Sequence, residues 1–389
     1  MDGRKWGSLI PDFNIRDSLI KKGKKMEYRT NRKTGDRFSE IGLGTAYLFE
    51  AGMEEGVRAL QCAVEGGINI FDLAAGHGDT YPIFGEALAD VRKDVFYQIH
   101  FGAEYSQGVY GWSLDLDTVK RSVDRQLSQL KTDYIDYGFI HCLDEEKDWE
   151  TFQKNGILDY IYELEKTGVV RHIGFSSHTP AVIQKVLDDV SPELLMFSVN
   201  PAYDSGEGEY AKGSLNDRNS VYRRCEAEGL GITVMKPFSS GQLLDAKQSP
   251  FKAALTKAQC IHYALDRPGV LSVLAGARNT REVEELLAYH SLSEEEKDYS
   301  VIASFDPVDT EGTCVYCNHC SPCPAGLDVG LINKYYDLAK AGDLLAAEHY
   351  RTLEHTAADC TGCGHCDARC PFGVAQSNRM QEIRTYFKG

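Results

Sequence analysis

From Ile41 onward, short apolar runs alternate with amphipathic stretches, and the two patterns succeed each other through most of the chain. The runs 41–47, 68–73, 95–101, 135–141, 172–176, 195–199, 232–236 and 270–275 read as short strands buried on both faces. Between them, 53–65, 116–130, 157–166, 180–190, 221–228, 253–266 and 281–289 carry apolar residues three and four apart, the signature of helices with one buried face. Strand-helix alternation of this length implies a parallel α/β fold. Eight such units over about 250 residues point to a closed (β/α)8 TIM barrel, whose chemistry sits on loops at the carboxyl ends of the strands. The longer connections 104–113, 144–156 and 203–220 follow the third, fourth and sixth strands and are therefore candidate substrate loops.

The flanks have a different texture. Residues 1–25 are polar and basic and read as an extension lying on the body of the protein. Residues 26–39 suggest a hairpin turning at 33–36, residues 294–304 a helix leaving the barrel, and residues 306–309 a linker. Beyond the linker, 329–340 and 344–353 are helical patterns set between two cysteine runs, as in a small, mainly helical ferredoxin-like domain. The expected organisation is an extension (1–25), a barrel (26–305) and an iron-sulfur domain (306–389).

The second cysteine run, Cys360, Cys363, Cys366 and Cys370 followed by a proline, has the bacterial ferredoxin spacing. The first, Cys314, Cys317, Cys320 and Cys323, also ends in Cys-Pro, with a last gap one residue shorter. Eight thiolates supply two [4Fe-4S] clusters. In two-cluster ferredoxins the fourth cysteine of each run ligates the other cluster, so Cys370 is expected to complete the site of Cys314, Cys317 and Cys320, and Cys323 that of Cys360, Cys363 and Cys366. Triplets closed by Cys-Pro fit poorly on tetrahedral zinc, which favours separated pairs. Cys62, Cys142, Cys225 and Cys260 are scattered and read as buried thiols, and His319 and His365 as residues beside the clusters rather than ligands.

Composition narrows the classes. The chain has 389 residues, 42% hydrophobic and 26% charged, with no apolar run long enough to cross a bilayer. A net charge of -16 argues against nucleic acid, whose phosphates demand a basic surface. The first residues are charged and lack the apolar core of a secretory signal, so a cytoplasmic setting with reduced thiols is expected.

Several segments together resemble the aldo-keto reductases, in a form extended by an iron-sulfur tail. They are Gly67-Ile-Asn-Ile-Phe-Asp72 with Ala74 and Gly78, Thr132-Asp-Tyr-Ile-Asp136 running into His141, Gly168-Val-Val-Arg-His-Ile-Gly-Phe-Ser176, Met235-Lys-Pro237 with Gly241, and Gly276-Ala-Arg-Asn279. The resemblance implies a TIM barrel that binds NADP(H) across its carboxyl end and moves a proton with Asp, Tyr, Lys and His. Asp72 and His141 match that set, whereas His77 stands where the family has tyrosine and His100 where it has lysine. The cofactor positions implied are Ser176, Ser177 and Asn200 at the carboxamide, Lys236, Ser239, Gly276 and Arg278 at the phosphates, and Glu285 near adenine. Ser177, Asn200 and Leu286 depart from the family's asparagine, glutamine and asparagine.

Three functions are open on these residues. In the first, an oxidoreductase passes single electrons from two clusters to a small organic substrate at the barrel mouth, and Asp72, His77, His100 and His141 handle protons, since histidine titrates near neutral pH. Its redox partner would be of the ferredoxin or flavodoxin type, and a classical NADPH-dependent carbonyl reductase, with NADP(H) bound, stands beside it as an alternative. In the second, the same four residues hold an additional metal and the reaction is that of a lyase or isomerase. In the third, the barrel is idle and the protein only carries electrons. Tyr81, Tyr105 and Tyr203 are candidate cavity residues, Tyr81 being the nearest replacement for the missing tyrosine.

Overall fold

The computed structural model describes residues 26–206, 210–304, 312, 314, 316, 319–340, 347, 350–351, 353–370 and 372–388. The expected N-terminal extension, the 306–309 linker, Cys317 and most of the 344–353 helix lie outside them.

Eight parallel strands close on themselves: β1 (Ile41–Gly44), β2 (Ile70–Asp72), β3 (Phe96–Phe101), β4 (Ile135–Ile140), β5 (Val170–Ser177), β6 (Leu194–Ser198), β7 (Gly231–Met235) and β8 (Val270–Gly276). Closure is shown by the register, in which β8 pairs with β1 through Leu274 opposite Gly42, and β2 with β3 through Asp72 opposite Gln98. Each strand coincides with one of the expected runs.

Because side chains alternate across a strand, one phase of each strand fills the barrel. Ile70, Tyr137, Phe139, Leu194, Met196 and Leu274 form that interior, with Phe38 entering from below. Gly42 is required there, since a Cβ would lie 2.8 Å from both Ile70 and Leu274. The same phase carried upward reaches Asp72 on β2, His100 on β3 and His141 just past β4. The lower end is closed by the hairpin Tyr28–Thr30 and Arg37–Ser39, whose Arg29 donates to the carbonyls of Leu265 and Val270, both at 2.8 Å.

Helices cover the outside. Leu215–Glu228 starts six residues earlier than the apolar periodicity suggests, because Ser214 and Asp217 form a capping box. In contrast, 253–256 do not join the helix that follows: Thr256 caps Lys257–Leu265. The 294–304 segment breaks into a short α-turn, Glu294–Lys297, and a 3-10 turn, Ser300–Ser304.

The tail packs against the barrel near the lower end of β8. Tyr299 donates to the carbonyl of Tyr316 at 3.1 Å, the Arg267 guanidinium lies 5.3 Å from the Tyr316 ring centre, and Lys334 stands 3.8 Å from Asp266. Phe372 and Val374 are buried in the core shared with the barrel. From Tyr316 an unbroken set of contacts climbs between two helices: Arg267 on the Tyr263 ring at 4.2 Å, Tyr263 donating to Asp204 at 2.8 Å, and Arg218 joining Asp204 at 2.6 Å to the carbonyl of Ser198 at the end of β6.

Candidate active site

Asp72, His100 and His141 meet at the carboxyl end of β2, β3 and β4. His100 Nε2 is 2.6 Å from Asp72 Oδ1, and its other nitrogen, Nδ1, is 2.9 Å from His141 Nδ1. All three are buried. Burial, with His100 and His178 nearby, holds the His141 imidazole well below its usual pKa. The remaining nitrogen, His141 Nε2, lies 2.7 Å from the phenol oxygen of Tyr110. The array therefore runs from a buried carboxylate to a tyrosine that is 40% exposed.

Tyr110 belongs to the connection after β3. Gly102, at φ 129°, turns the chain back so closely that a Cβ would sit 3.3 Å from the Cβ of His141. Two short strands, Ala103–Glu104 and Gly111–Trp112, then clip the loop into a hairpin. Its tip is tied to the loop after β2, with Gly78 donating to Gly108 at 2.7 Å and Tyr110 donating to Gly76 at 3.0 Å. The Tyr110 ring packs edge-on to Tyr105, whose hydroxyl donates to Ala75 at 3.0 Å. Burial pushes the Tyr110 phenol upward.

Of the expected four-residue centre, His77 makes its contacts elsewhere. Its ring stacks on Phe49 at 5.2 Å, its Nδ1 accepts from the backbone of Asp79 at 3.2 Å, and its backbone forms an antiparallel bridge with Val109. Those contacts hold it to the rim, outside the Asp72-His100-His141 array. His100 spends its two nitrogens on different partners, giving a line instead of the convergence that a metal held by all four residues needs. Tyr81 is not the replacement donor: it is buried and donates to the carbonyl of Leu73 at 2.7 Å. Tyr203 is buried, and His172 lies at the lower end, over the Tyr137 ring.

The nicotinamide positions are engaged inside the protein. Ser176 accepts from the backbone of Cys142 at 2.8 Å, Ser177 donates to Asp144 at 3.1 Å, and Asn200 spends its amide on Tyr203 and Lys236, both at 2.9 Å. All three are fully buried. On the phosphate side Gly276 is open and Ser239 buried, with its hydroxyl donating to Gln242 at 3.2 Å. Lys236 sits 3.9 Å over the Tyr210 ring, and Arg278 is bracketed by Glu50 at 3.3 Å and Glu282 at 3.5 Å. Glu285 is occupied by Lys257 at 2.7 Å and Arg281 at 3.4 Å.

In the tail, Cys314 and Cys370 lie against the barrel-side core, whereas Cys320, Cys323, Cys360 and Cys366 belong to the tail's own core. Gly362 donates its backbone N–H to Cys360 Sγ at 3.4 Å, and Gln376 its side-chain amide to Cys314 Sγ at 3.5 Å. Gly362 and Gly364, at φ 67° and 69°, let the chain curl tightly around Cys363. Among the described residues no three of these sulfurs lie within 4.8 Å of one another, whereas tetrahedral zinc would hold its sulfurs about 3.8 Å apart. Spread, partly buried thiols with N–H donors fit iron-sulfur clusters.

Residues 40–259 match the Aldo/keto reductase family, and residues 312–374 match the 4Fe-4S dicluster domain. The chain belongs to the aldo/keto reductase family. This aldo/keto reductase is an oxidoreductase that carries a C-terminal 4Fe-4S dicluster domain. It is 28% identical over 275 residues to the uncharacterized oxidoreductase YqkF of Bacillus subtilis, covering 64% of this chain and 85% of that one. It is 24% identical over 295 residues to L-galactose dehydrogenase of Arabidopsis thaliana, covering 68% and 88%. In fold it is similar to aldo-keto reductase AKR11C1 from Bacillus halodurans in its holo form, with a TM-score of 0.56, 21% identity and coverage of 71% and 95%. Among the described residues no helix is long and apolar enough to cross a membrane.

Proposed function

We propose that the protein carries out redox conversion of a small carbonyl or hydroxy compound at the barrel mouth, with Tyr110 exchanging the substrate proton. The observation that carries this reading is the continuous array Asp72, His100, His141, Tyr110. With Asp72 ionised and both imidazoles neutral, its hydrogen bonds have one self-consistent arrangement. A carboxylate only accepts, so His100 Nε2 carries a proton and His100 Nδ1 is a lone pair. His141 Nδ1 must then donate to it, leaving His141 Nε2 to accept from the Tyr110 hydroxyl. Every proton points toward Asp72.

Such an array suits a proton-transfer residue. When Tyr110 acts as base, its own proton passes to His141, the next to His100, and the last to Asp72. When it acts as acid in a carbonyl reduction, which takes two electrons and two protons, Tyr110 gives its proton to the substrate oxygen and regains one from water at its exposed edge, and the proton at carbon comes from solvent. The family's donor position is thus served by a tyrosine from another loop. Tyr47, Val109 and Trp112, on loops at the same end and each more than 40% exposed, offer an apolar rim to a substrate's carbon skeleton.

The cysteines are proposed to hold two [4Fe-4S] clusters, Cys314, Cys317, Cys320 and Cys370 at one and Cys360, Cys363, Cys366 and Cys323 at the other. Bound clusters supply single electrons, taken from a ferredoxin- or flavodoxin-type partner. The contacts from Tyr316 through Arg267, Tyr263 and Asp204 to the end of β6 join the cluster domain to the mouth. NADP(H) fits less well: its carboxamide would have to displace hydrogen bonds of the fully buried Ser176, Ser177 and Asn200, and its phosphate would meet an Arg278 already flanked by two carboxylates.

Relatives support the substrate class. Among them are L-glyceraldehyde 3-phosphate reductase and methylglyoxal reductase of Escherichia coli, each 24–25% identical. Turnover of methylglyoxal and glyceraldehyde by cluster-replete protein, with a reduced viologen as electron source, tests the proposal. The expected result is substrate loss that requires Tyr110.

A further inference from the structure

One group of metal-ligating side chains at the barrel mouth is not used by the proton array. Cys142 lies two residues past the end of β4, Asp144 two residues on, and His178 follows β5. One donor atom from each lies within 4.8 Å of the others. We propose that Cys142, Asp144 and His178 form a three-ligand site for a divalent cation of the zinc type. This goes beyond the reading above, since cation binding here requires neither cluster electrons nor Tyr110.

Cysteine, histidine and aspartate near one another also suggest a nucleophile, base and orienting acid. The geometry excludes that relay. In a relay the thiol and the carboxylate lie on opposite nitrogens of the ring. Here both face the same one: His178 Nδ1 is 2.9 Å from Asp144 Oδ2 and 3.7 Å from Cys142 Sγ. Convergence on one point is what a metal requires.

Spacing agrees. With bonds of about 2.3 Å to sulfur and about 2.0–2.1 Å to nitrogen and oxygen, tetrahedral zinc sets sulfur and nitrogen about 3.6 Å apart, and nitrogen and oxygen about 3.4 Å apart. The first distance is already present, and the second needs the carboxylate oxygen to move out by about half an ångström.

Each ligand is held from behind. Asp144 Oδ1 accepts from the backbone of His178 at 2.7 Å and from Ser177 at 3.1 Å, which leaves Oδ2 for the ring. The Cys142 backbone, at φ 45°, is fixed by its N–H bond to Ser176 at 2.8 Å. Tyr210 packs on the His178 ring at 4.4 Å. Among the described residues His178 Nε2 is buried with no partner, so the tautomer that frees Nδ1 for a metal places its N–H on that side at the cost of an unpaired donor. The hydrogen bonds behind Asp144 and Cys142 are of the orienting kind that accompanies metal sites. One thiolate, one imidazole and one carboxylate suit zinc, and three protein ligands leave a position for water or a substrate oxygen. Asp144, with its side chain 30% exposed, keeps that position in reach of the solvent.

The test uses full-length, cluster-replete protein equilibrated with Zn2+ without oxygen, washed, and examined at the zinc X-ray absorption edge. The expected result is about one zinc per chain, with one sulfur at about 2.3 Å and nitrogen or oxygen neighbours at about 2.0–2.1 Å. Cys142→Ser should remove the sulfur neighbour, and His178→Gln should weaken binding by about 100-fold or more, beyond what loss of an outer contact costs. Asp144→Asn, nearly isosteric, repeats the affinity test if either variant loses its native circular dichroism. The proposal is overturned by wild-type protein that retains no zinc, by three or four sulfurs per zinc, which would place the metal among the tail cysteines, or by variants that bind as tightly as wild type.

Discussion

Tyr110 Oη and His141 Nε2, 2.7 Å apart, join a loop and a barrel strand that are 31 residues apart in sequence. That contact gives a buried chain of two imidazoles and a carboxylate an end that solvent and substrate can reach. It also fixes tautomers that can be observed without any substrate. In protein labelled with 15N-histidine, two-bond proton-nitrogen spectra should show His100 protonated on Nε2 and His141 on Nδ1. Tyr110→Phe should move only the His141 Nε2 resonance appreciably, toward that of a free lone pair. A His141 protonated on Nε2 would reverse the proposed direction of the array.

A second expectation concerns the joint between mouth and tail. Arg218 and Asp204 are both fully buried, and Asp204 also accepts from Tyr222 and Tyr263, each at 2.8 Å. Asp204→Ala strands a guanidinium away from water, and removal of one partner of a buried pair costs about 3–5 kcal/mol. Tyr263→Phe leaves the carboxylate two donors and should cost about 1.5–3 kcal/mol. Denaturant unfolding of the cluster-replete protein measures both. Equal losses would show that Asp204 does not organise the joint.

The barrel was legible because its signal is periodic. Eight apolar runs fall on the eight strands, and the phase of Ile70, Phe139 and Gln98 carries Asp72, His141 and His100 to one layer. Resemblance placed His77 with them, but a residue beyond a strand is positioned by loop packing, and its contacts here are to Phe49 and Val109. Tyr110 was hidden for the same reason. The 104–113 loop was recognisable as a substrate loop, yet which of its aromatics reaches His141 depends on the turn at Gly102 and on hydrogen bonds to Gly76 and Gly78. The Cys142-Asp144-His178 group gave no sequence signal either, since its members come from two loops and meet only when β4 and β5 lie side by side.

Cluster ligation is predicted to cross between the two runs. Cys314 and Cys370 share the barrel-side core, and Cys323 shares the tail's own core with Cys360 and Cys366, with Cys320 standing in that second core as well. Protein purified without oxygen should hold about eight iron and eight sulfide per chain. Cys314→Ser and Cys370→Ser should remove the same electron paramagnetic resonance signal of the reduced protein, and Cys323→Ser and Cys360→Ser the other. Loss of one signal by both Cys360→Ser and Cys370→Ser, with the other intact, would mean that each run binds its own cluster.

Turnover of Tyr110→Phe beside His77→Ala tests the central claim most directly, with both variants cluster-replete and methylglyoxal or glyceraldehyde reduced by the viologen couple. General acid-base help is typically worth about 10²- to 10⁴-fold. Tyr110→Phe should lose turnover within that range while its iron content and cluster spectra stay native, and His77→Ala should remain within about threefold of wild type, as expected of a group outside the proton path. Near-native turnover in Tyr110→Phe, with the larger loss falling on His77→Ala, would contradict the account and return the proton to the position where the family keeps its tyrosine.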